Sequence, residues 1–264
     1  MIVEGDYWRD GAVCVRGAFD GEIVELPRQA VEANLADLGP FAKRASAKDD
    51  GAFVEDFCSW QRLPALCELA LHPRVAEVAA EVMETAGPVR LYHDHVLVKE
   101  PGTRQRTPWH QDLPYYNVEG RLNVSLWIPV DPVPRSSTLQ LVAGSHLGPW
   151  YMPRTFLDGQ AKWFPEGSLQ DLPDVESDPE RYPVLAWELE PGDLVAFHML
   201  SLHAAGGVEG PGRRRVVSLR FLGEDMRHAV RSWDTSPPFP GLADELPDGA
   251  PLAHHLFPLV HPHP

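Results

Sequence analysis

The chain has 264 residues, 44% of them hydrophobic, enough apolar material for one large globular unit. Against 23 Lys and Arg stand 38 Asp and Glu, and the resulting net charge of -15 repels phosphate backbones and anionic membrane surfaces, which excludes nucleic acid and membranes as expected partners. Cys14, Cys58 and Cys67 show no C-x-x-C spacing, so neither a disulfide framework nor a zinc-thiolate site is expected.

The opening stretch "MIVEGDYWRDGAVCVRG" is acidic and lacks the basic start and apolar run of a signal peptide. No later stretch approaches the roughly 20 apolar residues of a membrane span, so the reading is a cytoplasmic protein. Residues 1–88 read as a helical preface. "LPRQAVEANLADLGPFAKRA" and "LPALCELALHPRVAEVAAEVMETA" carry apolar residues at three-to-four spacing, each with Leu-Pro near its start.

From residue 89 the period changes. "VRLYHDHVLVKEP", "NVSLWIPVD", "STLQLVAGSH", "YPVLAWELE", "DLVAFHMLSLHAAGG" and "RRVVSLRFLGED" are short and rich in β-branched and aromatic residues, with Gly, Pro, Asp or Ser between them. They predict a mainly β core over 89–225. A two-sheet jelly roll suits this run better than an Ig-like sandwich, whose Cys and Trp landmarks are missing. Residues 147–182 form a long connection whose aromatics, Trp150, Tyr151, Phe156, Trp163 and Phe164, argue for an ordered, lid-like insertion. The tail 226–264 is rich in Pro and His and is expected to wrap the surface or hang free.

The stretch "TPWHQDLPYYN" holds the chain's only H-x-D, and no H-x-E occurs. In a strand, His110 and Asp112 point to one face, offering an imidazole nitrogen beside a carboxylate oxygen. That is two thirds of the two-His, one-carboxylate set that holds Fe(II) with open positions. By itself the motif is also compatible with a surface pair or an oriented core histidine. A distal candidate is His203, at the end of a predicted strand. Arg214 starts the next one, and a hairpin between them is expected to bring both to the same mouth.

Together "YWRDGAVCVRGAF", "VLVKEPG", "TPWHQD", "VSLWIPVD", "LVAGSH", "PGDLVAFHMLSLH" and "RRVVSLRF" resemble, in order and spacing from about residue 7 to 225, the phytanoyl-CoA dioxygenase family of Fe(II)/2-oxoglutarate oxygenases. The resemblance implies a double-stranded β-helix, a jelly-roll relative of the cupins. It implies His110, Asp112 and His203 as iron ligands and Arg214 as the anchor of the distal 2-oxoglutarate carboxylate. Arg214 is preferred to Arg213 and Arg215 because the family's Arg-x-x-x-Ser-x-x-Phe run fits Arg214, Ser218 and Phe221. Lys99, in the Lys-x-Pro-Gly position, and Ser218 are further cosubstrate candidates. Two departures, "RSST" at 135–138 and "AAGGVEG" after the distal histidine, bear on contacts behind the cosubstrate.

The implied activity is hydroxylation of a C–H bond of a small-molecule metabolite, with O2 and 2-oxoglutarate consumed and succinate and CO2 released. A redox-neutral metal cupin of the isomerase type and a non-catalytic ligand-binding relative are the competing readings. His93 and His95 in "YHDHV" form a second candidate ligand pair that lacks a carboxylate two residues on, and His146 and His198 read as structural. Trp109 and Trp127 are candidate site walls. Tyr115, Tyr116, Trp127 and Trp150 are the expected substrate contacts, and the acidic charge balance favours a largely uncharged or cationic substrate over an acyl-CoA.

Overall fold

The computed structural model describes residues 2–153, 164, 167–208 and 210–262. Proline sets the helix boundaries near the N-terminus. Helix Leu26–Ala36 carries Pro27 in its first turn, and the second predicted helical stretch divides into Pro64–Ala70 and Pro73–Met83. His72 is held in extended backbone before Pro73 and accepts a hydrogen bond from the Arg74 amide, capping the second of these. No helix among the described residues is long and apolar enough to cross a membrane.

The first 88 residues are not only helical. "AVCV" and "FVEDF" are β-branched and aromatic enough to pair, and Ala12–Arg16 and Phe53–Phe57 both enter the large sheet. That antiparallel sheet runs Ile2–Asp6, Ala12–Arg16, Leu194–Phe197, Asn123–Pro129, Arg214–Leu222, Val89–Lys99, Phe53–Phe57, Lys43–Arg44, with Leu259–His261 also pairing on Val89–Lys99. A smaller sheet runs Val184–Ala186, Leu139–Val142, His203–Ala205, Thr107–His110. Trp127, Val195, Phe197 and Val216 of the large sheet pack on Leu139, Leu141 and Ala205 of the small one. The two sheets thus face each other as the jelly roll expected from the strand run, in keeping with the double-stranded β-helix that the resemblance implies.

Side-chain alternation gives the large sheet two different faces. Val13, Val15, Val96, Val98, Val124, Leu126, Ile128, Val217, Leu219 and Phe221 bury against the helices. Each such aliphatic side chain contributes about 1.5–3 kcal/mol on burial. The other face carries Trp127, Ser218, Arg220, His93, His95, Leu97, Glu55 and Phe57 toward the small sheet. An irregularity opposite Arg220 and Phe221 resets the alternation of Val89–Lys99, so that Leu91 faces the helices while His93 and His95 face inward.

The tail does not hang free. Arg227–His228 pairs with Val118–Glu119, and Phe257 is fully buried among Tyr92, Phe239 and His254. The expected lid over 147–182 lies partly outside the described residues, as do Arg154, Phe156 and Trp163.

Candidate metal and cosubstrate site

His110 ends the strand Thr107–His110, and its Cα partner across the small sheet is His203. Their rings lie 4.1 Å apart between centroids. Asp112 is not in the strand. It opens a short helical turn, Leu113–Tyr115, and the amides of Asp112 and Leu113 both donate to Met199 O at 2.9 Å. It is therefore this turn, pinned to the chain just before His203, that aims the carboxylate, and the strand alternation expected from H-x-D does not apply.

Each imidazole is oriented from behind. His110 Nδ1 lies 2.8 Å from Pro108 O, and His203 Nδ1 lies 2.8 Å from Ser201 O. A carbonyl accepts only from a protonated Nδ1, so both rings present Nε2 inward. The two Nε2 atoms stand 3.6 and 3.7 Å from Asp112 Oδ1. Burial, with His110 nearby, pushes His203 down to about 3, so it stays neutral and free to ligate. Burial alone would raise the Asp112 carboxyl, but Arg220 and the two histidines hold it well below the usual carboxylate range. Three donors of the right chemistry, all within 4.8 Å of one another, fit a divalent transition metal with positions left open.

Arg220 is the functional residue the sequence reading missed. It is buried, donates from Nη2 to Asp112 Oδ2 at 3.1 Å and from Nε to the Tyr116 hydroxyl at 3.0 Å. The available signal was a cation set in the apolar run "VVSLRFL", six residues and hence one strand face from Arg214.

Arg214 and His203 do not share a hairpin. They begin strands in opposite sheets, and the chain between them crosses from one to the other. Arg214 is buried in the cleft wall, 5.6 Å over the Trp127 ring, with Nη1 donating to Ser137 O and Gly206 O. Burial lowers it to about 10, still charged at neutral pH. Among the described residues it has no ion pair, and its Nε has no acceptor. Arg213 instead pairs with Glu100, and Arg215 with Asp131, outside the cleft.

Lys99 is fully buried, with Nζ 2.8 Å from both Gln105 O and Gly206 O, and lies behind the cleft wall as the Cα partner of Arg214. Ser218 lines the cleft and its Oγ has no partner among the described residues. Tyr115, Tyr116 and Trp127 also line it. Trp150 does not; it packs under Arg231 at 5.1 Å. Trp109 packs with Val142 and Leu202, away from the cleft. His146 and His198 lie 5.3 Å apart with their rings tilted at 47°, and His146 sits beside Gly11, where a Cβ would meet its Nδ1 at 2.4 Å. His198 follows the strand Leu194–Phe197 and precedes the turn to His203, so the two histidines do not share a strand.

The cleft has a tight inner chamber, of cavity volume about 100 Å³, and an outer one of about 510 Å³; both include Phe57 and Ser236 in their walls. Ser236 and Pro237 of the inner chamber and Trp233 of the outer one come from the tail. His93 and His95 line the inner chamber but stand apart from the three-donor cluster. A second grouping, Glu245, His254 and His255, lies nearer the surface, with His254 engaged by Glu245 at 3.0 Å.

The sequence model of the phytanoyl-CoA dioxygenase family matches residues 7–216. A probable phytanoyl-CoA dioxygenase of Caenorhabditis elegans is 26% identical over 62% of this chain and 52% of its own length. The human peroxisomal phytanoyl-CoA dioxygenase is 27% identical over 66% of this chain and 50% of its own. The chain thus spans about half the length of the curated relatives it matches. Among solved structures, the non-heme alpha ketoglutarate dependent carbocyclase SnoK of nogalamycin biosynthesis aligns with a TM-score of 0.72 and 26% identity, covering 96% of this chain and 93% of that one. The epimerase SnoN, in complex with Fe3+, alpha ketoglutarate and nogalamycin RO, aligns with a TM-score of 0.73 and 25% identity, covering 96% and 95%.

Proposed function

The chain belongs to the phytanoyl-CoA dioxygenase family, and from that membership we propose that it is an Fe(II)- and 2-oxoglutarate-dependent dioxygenase that hydroxylates a C–H bond of a small-molecule metabolite, releasing succinate and CO2. The observation that carries this reading is a pair of inward Nε2 atoms and a carboxylate converging in one cleft with buried Arg214, which has no ion pair among the described residues. His110, Asp112 and His203 would hold the iron, which when bound supplies the redox chemistry that couples O2 to 2-oxoglutarate and to the substrate. Arg214 would grip the distal carboxylate of 2-oxoglutarate through parallel hydrogen bonds, for which its Nε is available. Ser218 is placed to help orient it, and Lys99 stiffens the wall behind. Arg220, itself bonded to the Tyr116 hydroxyl, would keep Asp112 ionised and aimed. Tyr115 and Trp127 exclude water from the reacting centre, and Trp150 supports the wall from farther out. The whole of 1–264 would work as one oxygenase unit, with 89–225 as its core.

The expected substrate is largely uncharged or cationic. Of the cations other than Arg214 and Arg220 that line the two chambers, Lys43 is engaged by Glu55 and Arg231 by Glu119, and the net charge of -15 disfavours the phosphates of an acyl-CoA. The likeness to a carbocyclase and an epimerase supports ring closure or inversion as other outcomes of the same site.

The test is succinate release from 2-oxoglutarate by purified protein with Fe(II), ascorbate and O2 across a metabolite panel, followed by product mass. Gain of one oxygen marks hydroxylation, loss of two hydrogens marks ring closure, and unchanged mass with inverted configuration marks epimerisation. Failure to bind 2-oxoglutarate or to release succinate with any compound would overturn the reading.

A further inference from the structure

The inner chamber has a second polar wall, apart from the three clustered donors and from Arg214. It is built by His93 and His95 of Val89–Lys99, by Glu55 opposite Leu97, and by Lys43 opposite Glu55. His93 is buried and its Nδ1 lies 3.0 Å from the Asp94 carbonyl, an acceptor, so Nδ1 carries the proton and Nε2 keeps a lone pair. That Nε2 has no partner among the described residues, and the same holds for His95 Nε2. His95 Nε2 faces Glu55 Oε2 at 3.6 Å, longer than a hydrogen bond but near enough to steady the carboxylate. Buried polar atoms in native proteins are nearly always satisfied, so orphans gathered on one chamber wall point to a ligand that completes them.

The charges on this wall are already matched. Lys43 holds Glu55 at 2.7 Å and Arg220 holds Asp112 at 3.1 Å, while Arg214 is reserved for the cosubstrate. Burial, with the Arg220 charge close by, keeps both imidazoles below their ordinary range and therefore neutral. The spare capacity is a neutral acceptor in a chamber of only about 100 Å³ that shares Phe57 and Ser236 with a larger one. We infer that His93 Nε2 accepts a hydrogen bond from a neutral hydroxyl of the substrate, with His95 beside it, so that the substrate is an uncharged alcohol or phenol. Its hydroxylated head sits in the inner chamber and its bulkier body lies in the outer chamber, past Phe57 and Ser236.

This inference rests on the oxygenase reading for the word substrate, but its test does not. Metal-free protein of residues 1–264 is titrated with phenol and with anisole, its methyl ether, which lacks the hydroxyl donor, and binding is followed by protein NMR shifts. The expected result is a preference for phenol of about tenfold or more, the size expected when a buried acceptor is satisfied. In His93→Phe the preference falls to within about twofold while anisole binds as before. Equal binding of the two compounds by the wild-type protein overturns the inference without any variant being needed, and a phenol preference that persists in a folded His93→Phe protein overturns it as well. Absence of succinate release, measured separately, would sink the oxygenase reading and leave this result standing.

Discussion

Arg220 Nη2 lies 3.1 Å from Asp112 Oδ2, and both side chains are buried at the meeting of the two sheets. Removing one partner of a buried pair strands the other charge, at about 3–5 kcal/mol. Arg220→Leu is therefore expected to lower stability by about that amount in urea unfolding. It should also weaken Fe(II) binding, because the Asp112 carboxyl then holds its proton more tightly. Unchanged iron affinity in a folded Arg220→Leu protein would count against this role.

The three consecutive arginines should separate cleanly. Loss of a charge-assisted contact in a buried site costs about 2–5 kcal/mol, so Arg214→Leu is expected to weaken 2-oxoglutarate binding by tens-fold or more in equilibrium titration. Arg213→Leu, at an exposed pair with Glu100, should leave binding unchanged. Arg215→Leu releases Asp131 and should cost stability but not cosubstrate affinity.

Glu55 makes a stated demand on pH. Burial would raise its carboxyl, but His95 and Lys43 bring it down to about 2. A carboxylate depressed on folding contributes stability above its unfolded value, about 4.3, and loses it as the pH falls toward about 2. Lys43 is half exposed, so the contribution is discounted to about 1–2 kcal/mol. Glu55→Gln should lower stability by that amount at pH 7 and unfold with a shallower dependence on pH between about 5 and 2. Parallel curves for the two proteins would remove Glu55 from the acid response.

Phe257 ties the tail to the site. It is fully buried, 5.4 Å from the Tyr92 ring, and Tyr92 in turn lies 5.1 Å from Tyr116. Phe257→Ala leaves a cavity there and is expected to cost about 3–5 kcal/mol in denaturant unfolding. A loss below about 1 kcal/mol would mean the tail contributes little to the fold, since such small values belong to surface positions.

The strand run from residue 89 was legible because alternation and turn residues are local signals. The β strands inside the first 88 residues were not, since "AVCV" and "FVEDF" are too short to outweigh the helical stretches around them and gain their pairing from the large sheet. The division of "DLVAFHMLSLHAAGG" into Leu194–Phe197 and His203–Ala205 also escaped the sequence, because the turn between them is held by distant partners, Gly11 and Asn123 among them.

By itself the sequence determined the donor chemistry, namely two histidines and an aspartate at family spacing with an arginine beyond them, because residue types and their order are local properties. Only the tertiary structure decided what those donors face. The pinning of Asp112 by Met199 O, the buried Arg220 behind it and the setting of His93 Nε2, which has no partner among the described residues, each depend on segments 80 or more residues apart meeting between two sheets. Burial changes the energy of a charge or a lone pair by amounts no residue carries alone. It exists only once the sheets have closed over the site.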